Sequence, residues 1–370
     1  MKKIKITHIV ICLLYSYPLY AQSYNPPAQL DWHNVPLTDA HWDFQRSFES
    51  ITVEDSQAIK MRGLAISRFA LDKNFALEMV ARDSHWGCLM FHVHDVNTFE
   101  HVYFRTPSSG NGEALQYSPT VRGINPWRLY ESEQAAAVYN PGWNTFRIDV
   151  INGSAYVFVN NGPQPVHIVP KLRLPKSGQR IGFGALFGTV TVKQLRYAKI
   201  VSDAVMSPLP GEKGLIESWQ ISQAFNLLDA DNDFSKALMN YSYPRQPRID
   251  SIHWTPVQSE YDGVLNLMNY HPPTNEQGWA HCVYAKTNVS TPTAVTKKLA
   301  FGYCDLATVF LNGKLIYSGF QPLRDQKHYF RMKQVEAIDL PLEAGDNELL
   351  VITSGDAVSG WGILGKIIEN

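Results

Sequence analysis

CLMFHVHDVNTFEHVYFRTPSSGNGEALQYSPTVRGINPWRLY, Cys88–Tyr130, is the stretch on which the fold turns. Two runs in it, Cys88–His94 and Glu100–Arg105, alternate in polarity. Asp95, Asn97 and Thr98 form a turn-rich link between them, so the pair predicts a β-hairpin. Side chains alternate across a strand. Leu89, Phe91 and Val93 therefore share one face of the first strand, and Cys88, Met90, His92 and His94 the other. In the second strand Val102 and Phe104 oppose His101, Tyr103 and Arg105. The hairpin has one greasy face and one that displays imidazoles, a phenol and a guanidinium.

Outward from the hairpin the punctuation is that of an all-β protein. Strands are predicted over 75–81, 143–151, 155–160, 181–187 and 190–198. Asn152-Gly153 marks a type I′ hairpin turn. A second set follows at 264–270, 278–285, 298–303, 308–311, 314–317, 335–340, 348–353 and 362–367, with another such turn at Asn312-Gly313. A run rich in Pro and Gly, 201–214, separates the sets and predicts a linker. The expected architecture is two antiparallel β-sandwich or jelly-roll domains in tandem, 26–200 and 215–370.

The chain has 370 residues, enough for two full cores. A net charge of −1 gives no ground for a nucleic-acid or anionic-membrane partner. The N-terminus, MKKIKITHIVICLLYSYPLYAQS, has a basic start, a short apolar core and small residues at Ala21 and Ser23. It predicts a signal peptide over 1–22, hence a secreted, periplasmic or cell-surface protein with no membrane span after cleavage. Cleavage leaves Cys88, Cys282 and Cys304. That odd number argues against a disulfide framework, while leaving both free thiols and a Cys282–Cys304 pair open. Asn152-Gly153-Ser154 and Asn288-Val289-Ser290 fit glycosylation acceptors in a glycosylating host.

The first set resembles the concanavalin A-like lectin/glucanase group, including laminin-G-like jelly rolls. The carrying residues are FHVHDVNTFEHVYFR (91–105), LQYSP (115–119), WRLY (127–130), WNTFRIDVINGSAYVFVNN (143–161) and IGFGALFGTVTVKQLRY (181–197). The second set resembles the galactose-binding-like sandwich, through DLATVFLNGKLIYSG (305–319), IDLPLEAGDNELLVIT (338–353) and GWGILGKI (360–367). Both resemblances imply sugar recognition. The glucanases of the first group carry Glu-x-Asp-x-x-Glu on one strand, and this chain has no such motif: Glu78 has only Asp83 near it, at the wrong parity, and Glu100 stands alone.

The polar face of the hairpin supplies the candidate ligand residues: His92, Tyr103, Arg105, Gln116 and, at the rim, Trp127. Aromatic rings stack on sugar rings, while guanidinium and amide groups bond vicinal hydroxyls. A solvated outer sheet face is the plainer explanation of the same pattern. His92, His94 and His101 have the residue types for zinc but no carboxylate beside them, so no metal ligand is assigned. Asp229–Asp233 (DADND) lacks the Gly and distal Glu of an EF-hand. No cofactor is expected, with room left for a structural calcium. The expected function is exported recognition of an oligo- or polysaccharide, non-catalytic or accessory. The alternatives are a glycoside hydrolase or polysaccharide lyase on the concave face of the first domain, and a structural or adhesive surface protein.

Overall fold

A computed structural model describes residues 29–82, 85–174, 179–201, 213–226, 251–271, 281–321, 332, 336–355 and 359–368. The expected leader, most of the linker and the Asp229–Asp233 run lie outside the described residues. The protein is all-β. Among the described residues, thirteen strands between His33 and Lys199 form one hydrogen-bonded set and ten between Ser218 and Ile368 form another, every pairing antiparallel.

Each set closes into two layers through one long shared strand. In the first it is Arg180–Lys199. Its leading part pairs with Gly87–Asp95 (Gly182 opposite Met90) and its trailing part with Phe75–Arg82 (Leu195 opposite Met79). The two parts were expected as separate strands. A bulge between Ala185 and Val190 bends the chain without ending its pairing to Ser56–Ser67. Gly184 lies against that neighbour at φ +153°, where a Cβ would run into the carbonyl of Gly63. In the second set the shared strand is Val295–Leu311, likewise expected as two. Residues up to Cys304 pair with Glu336–Leu342 and Gly362–Ile368, and those from Asp305 on with Lys314–Gln321 or Gly345–Ser354. The strand expected over 264–270 stops at Asn266, whose side chain accepts from the Met268 amide and starts a 3₁₀ turn.

The core of the first sandwich lies between its layers. Leu89, Phe91, Val102 and Phe104 of the hairpin meet Phe146, Ile148 and Leu195 of the other layer there. Both Asn-Gly turns take positive φ at both residues, as a type I′ turn requires: 51° and 87° at Asn152-Gly153, 49° and 77° at Asn312-Gly313.

The hairpin itself departs from simple alternation. His92 has φ +48°, and the register slips between Phe91 and Asp95. This bulge turns Val93 away from Leu89 and Phe91, onto the face of Cys88, Met90, Phe99 and Tyr103. Glu100 keeps the parity of Val102 and Phe104 and so points into the core, with no exposure. Cys88, Cys282 and Cys304 are buried and form no disulfide.

Candidate functional site

The polar face of the hairpin is not left to solvent. His101, Gln116 and Ser118 on it are fully buried, because the chain's own segment from Ile124 to Tyr130 lies across them. The Gln116 amide donates to the carbonyls of Trp127 (2.7 Å) and Tyr130 (2.8 Å), and its oxygen accepts from the Tyr103 hydroxyl (2.5 Å). Ser118 donates to Asn125 at 2.7 Å, and the Asn125 amide meets the His101 ring at 3.3 Å. Burial lowers the His101 pKa to about 3, so its imidazole is neutral.

This arrangement places the five sequence candidates. Tyr103, Gln116 and Trp127 come together in a brace that fastens the covering segment; Tyr103 and Gln116 are buried, and Trp127 is half-buried. His92 occupies the bulge at 9% exposure, with its ring against Phe91. Arg105 leaves the end of the strand and lays its guanidinium over the Trp86 ring, 4.5 Å from the centroid. No group of three or more His, Cys, Asp or Glu side chains placed to hold a metal ion occurs among the described residues.

The open end of the covered face carries a small platform. Trp86 is half-buried and packs between Tyr103 (5.0 Å) and Phe187 (5.9 Å), and Phe187 is 69% exposed. An ion pair with Glu113 at 2.6 Å holds Arg105 over the indole. The arrangement offers flat apolar surface beside one cation and one anion, all able to reach solvent. Of these residues the sequence pattern singled out only Arg105 and Tyr103. Trp86 precedes the strand Gly87–Asp95 and Phe187 sits at the bulge inside Arg180–Lys199, so the two carry no shared spacing.

A second cluster joins the two sandwiches. Arg173 donates to Glu133 (2.9 Å) in its own sandwich, and to Asp262 (2.7 Å) and Glu260 in the other. Its guanidinium stands 3.9 Å from the Tyr130 ring and 4.8 Å from that of Tyr261. Glu133 also accepts from the Tyr261 hydroxyl and meets the His167 ring at 3.0 Å. Burial raises the proton affinity of Glu133, but the His167 bond and the Arg173 charge outweigh it and hold this carboxyl below its ordinary range. Glu260 goes the other way: burial raises it more than Arg173 lowers it. Beside this cluster, Leu129 and Tyr130 pack against Val264, Cys304 and Leu364. Nothing in the sequence marks these partners, which lie as far apart as Arg173 and Asp262.

No protein-family model and no curated protein matches the chain. Several solved structures resemble part of it. The carbohydrate-binding module CBM66 from Bacillus subtilis does so at 9% identity over 45% of this chain and 90% of that one, with a TM-score of 0.27. The VIP36 exoplasmic/lumenal domain, in its Ca2+/Man3GlcNAc-bound form, does so at 10% over 48% and 87%, with a TM-score of 0.31. Domain 4 of AbnA, a GH43 extracellular arabinanase from Geobacillus stearothermophilus, in complex with arabinotriose, does so at 11% over 42% and 76%, with a TM-score of 0.27. Scores of this size carry no argument about function, which rests on the chain's own residues.

Proposed function

We propose that this is an exported carbohydrate-binding protein whose saccharide surface is the platform of Trp86, Arg105, Glu113 and Phe187. One observation carries the reading: a guanidinium fixed over an indole, paired to a carboxylate, beside an exposed phenyl ring. The aromatic faces suit the C–H face of a sugar ring, and the Arg–Glu pair supplies donors and acceptors for neighbouring hydroxyls. In this reading the first sandwich is a concanavalin-like domain over 26–200 and the second a galactose-binding-like domain over 215–370. The leader over 1–22 is removed on export. Recognition without turnover is favoured because the clustered carboxylates Glu133, Glu260 and Asp262 are all bonded to Arg173.

A second reading, glycoside hydrolysis, draws on Glu133 and Glu260. The two share one guanidinium while their surroundings push their proton affinities apart, the division that separates a carboxylate from a proton donor.

A glycan array on the mature protein, with product analysis of every hit, tests both. Binding without products, weakened about tenfold or more in Trp86→Ala and Phe187→Ser, is expected. Release of products that stops in Glu133→Gln would replace the proposal with hydrolysis. Binding indifferent to both platform variants, or no binding at all, would sink it.

A further inference from the structure

Away from that platform, on the other long half of the shared strand, the first sandwich has an open cleft of about 670 Å³. Asn34, Ser50, Gln57, Lys193 and Gln194 bring polar side chains to it. Lys193 is the extra residue of a β-bulge: Val192 faces Ala81 and Gln194 faces Val80, and nothing faces Lys193 between them. Bulges of this kind re-aim side chains. Here the Lys193 ammonium is set 4.6 Å from the centre of the Trp143 ring, and Gln194 donates to Asn34 at 2.9 Å.

Glu54 accepts from Arg82 at 2.7 Å and from the Trp143 indole N–H at 3.0 Å, so the nearby carboxylate is taken up and the indole is fixed. Lys193 forms no ion pair among the described residues. The cleft thus brings Lys193, which makes no ion pair among the described residues, together with neutral amides and the serines Ser50 and Ser56. Amides and hydroxyls bond to vicinal OH groups in either direction, and an ammonium discriminates for an anion.

We infer that this cleft is a second binding site, for the carboxylated sugar unit of an acidic oligosaccharide. Lys193 receives the carboxylate, and Gln194, Asn34 and Gln57 receive ring hydroxyls. The inference rests on the proposed function for its ligand class and not for its place in the fold.

The test is calorimetric titration with a galacturonate tetrasaccharide and with its methyl ester, which keeps the shape and removes the charge. The acid is expected to bind the native protein about tenfold or more tightly than the ester, the worth of one charged hydrogen bond. Lys193→Gln removes that preference, and Gln194→Ala weakens both ligands. Lys193 and Gln194 both reach solvent, so an unaltered melting temperature certifies the fold of their variants. Equal affinity for acid and ester, no binding of either, or an acid preference that survives Lys193→Gln overturns the inference. If the acid is lost in Trp86→Ala and kept in Lys193→Gln, the ligand belongs to the platform: the second site falls while the proposed function stands.

Discussion

Arg128 of the first sandwich and Asp305 of the second form an ion pair 2.6 Å long in which neither side chain is more than 1% exposed. Removing one partner leaves the other charged and dry. Asp305→Asn or Arg128→Met is therefore expected to cost about 3–5 kcal/mol, whereas Arg128→Met combined with Asp305→Leu recovers much of the loss. Denaturant unfolding followed by tryptophan fluorescence measures both. Single variants as stable as the native protein would contradict this account of the seam.

Gln116 carries a comparable load without charge. Its side chain bonds the Tyr103 hydroxyl and the Tyr130 carbonyl in buried surroundings and the Trp127 carbonyl in a part-buried one. Gln116→Leu fills the volume but removes three hydrogen bonds, while the Trp127 and Tyr130 carbonyls keep the Tyr130 and Glu133 amides, for an expected cost of about 1–3 kcal/mol. Tyr103→Phe breaks one of those bonds and is expected to cost about 1 kcal/mol. Limited proteolysis gives a second readout: cutting between Ile124 and Glu133 accelerates in Gln116→Leu, because the covering segment loses its fastening there.

Glu100 gives stability a pH dependence. Burial pushes its carboxyl from the ordinary 4.5 up to about 8, against the opposing pull of the Leu174 amide 2.5 Å away. Between those values the folded protein holds a proton that the unfolded chain has released. Stability from this group is thus complete below about pH 4.5 and falls as pH rises toward 8, by at most about 1.4 kcal/mol per unit. Glu100→Gln keeps an acceptor for Leu174 and cannot ionise. The difference in stability between native and variant protein is expected to move in favour of Gln from pH 5 to pH 8. A difference that stays flat across that range overturns the assignment.

How much of this was legible in the sequence depends on the range of the cause. Strand periodicity and the Asn-Gly turns are local, and the hairpin, both type I′ turns and the all-β class followed from them. The bulge at His92, one residue against Arg180–Lys199, has no residue-type signature, so Val93 was placed on the wrong face. The breaks expected near 188 and 305 are bends in strands that remain paired, and pairing is not visible in one strand's sequence. Polarity placed Gln116 and Tyr103 together, on adjacent strands, as they are. It could not say that residues 124–130 would lie over them, because burial depends on where a later segment returns. Arg173 and its carboxylates were missed for the same reason: each looks like an ordinary surface charge until the second sandwich arrives.

Arg173 supports the sharpest separation of charge from shape. Its guanidinium serves three carboxylates and faces two tyrosine rings. Lysine has the charge but neither the planar fork nor the stacking face, so Arg173→Lys is expected to lose stability despite conserving charge. Arg173→Met loses more, because Glu133, Glu260 and Asp262 are left facing one another. That repulsion eases as Glu133 and Glu260 take up protons, and without the guanidinium, which lowers both, they take them up at higher pH than in the native protein. The folded variant then binds more protons than the native fold does at the same pH. Its deficit is largest near pH 8 and shrinks as pH falls toward 4. Melting temperatures of native, Lys and Met forms across that range check the sign. A deficit for Arg173→Met that is constant with pH would mean that it comes from lost packing against Tyr130 and Tyr261, and not from unneutralised charge.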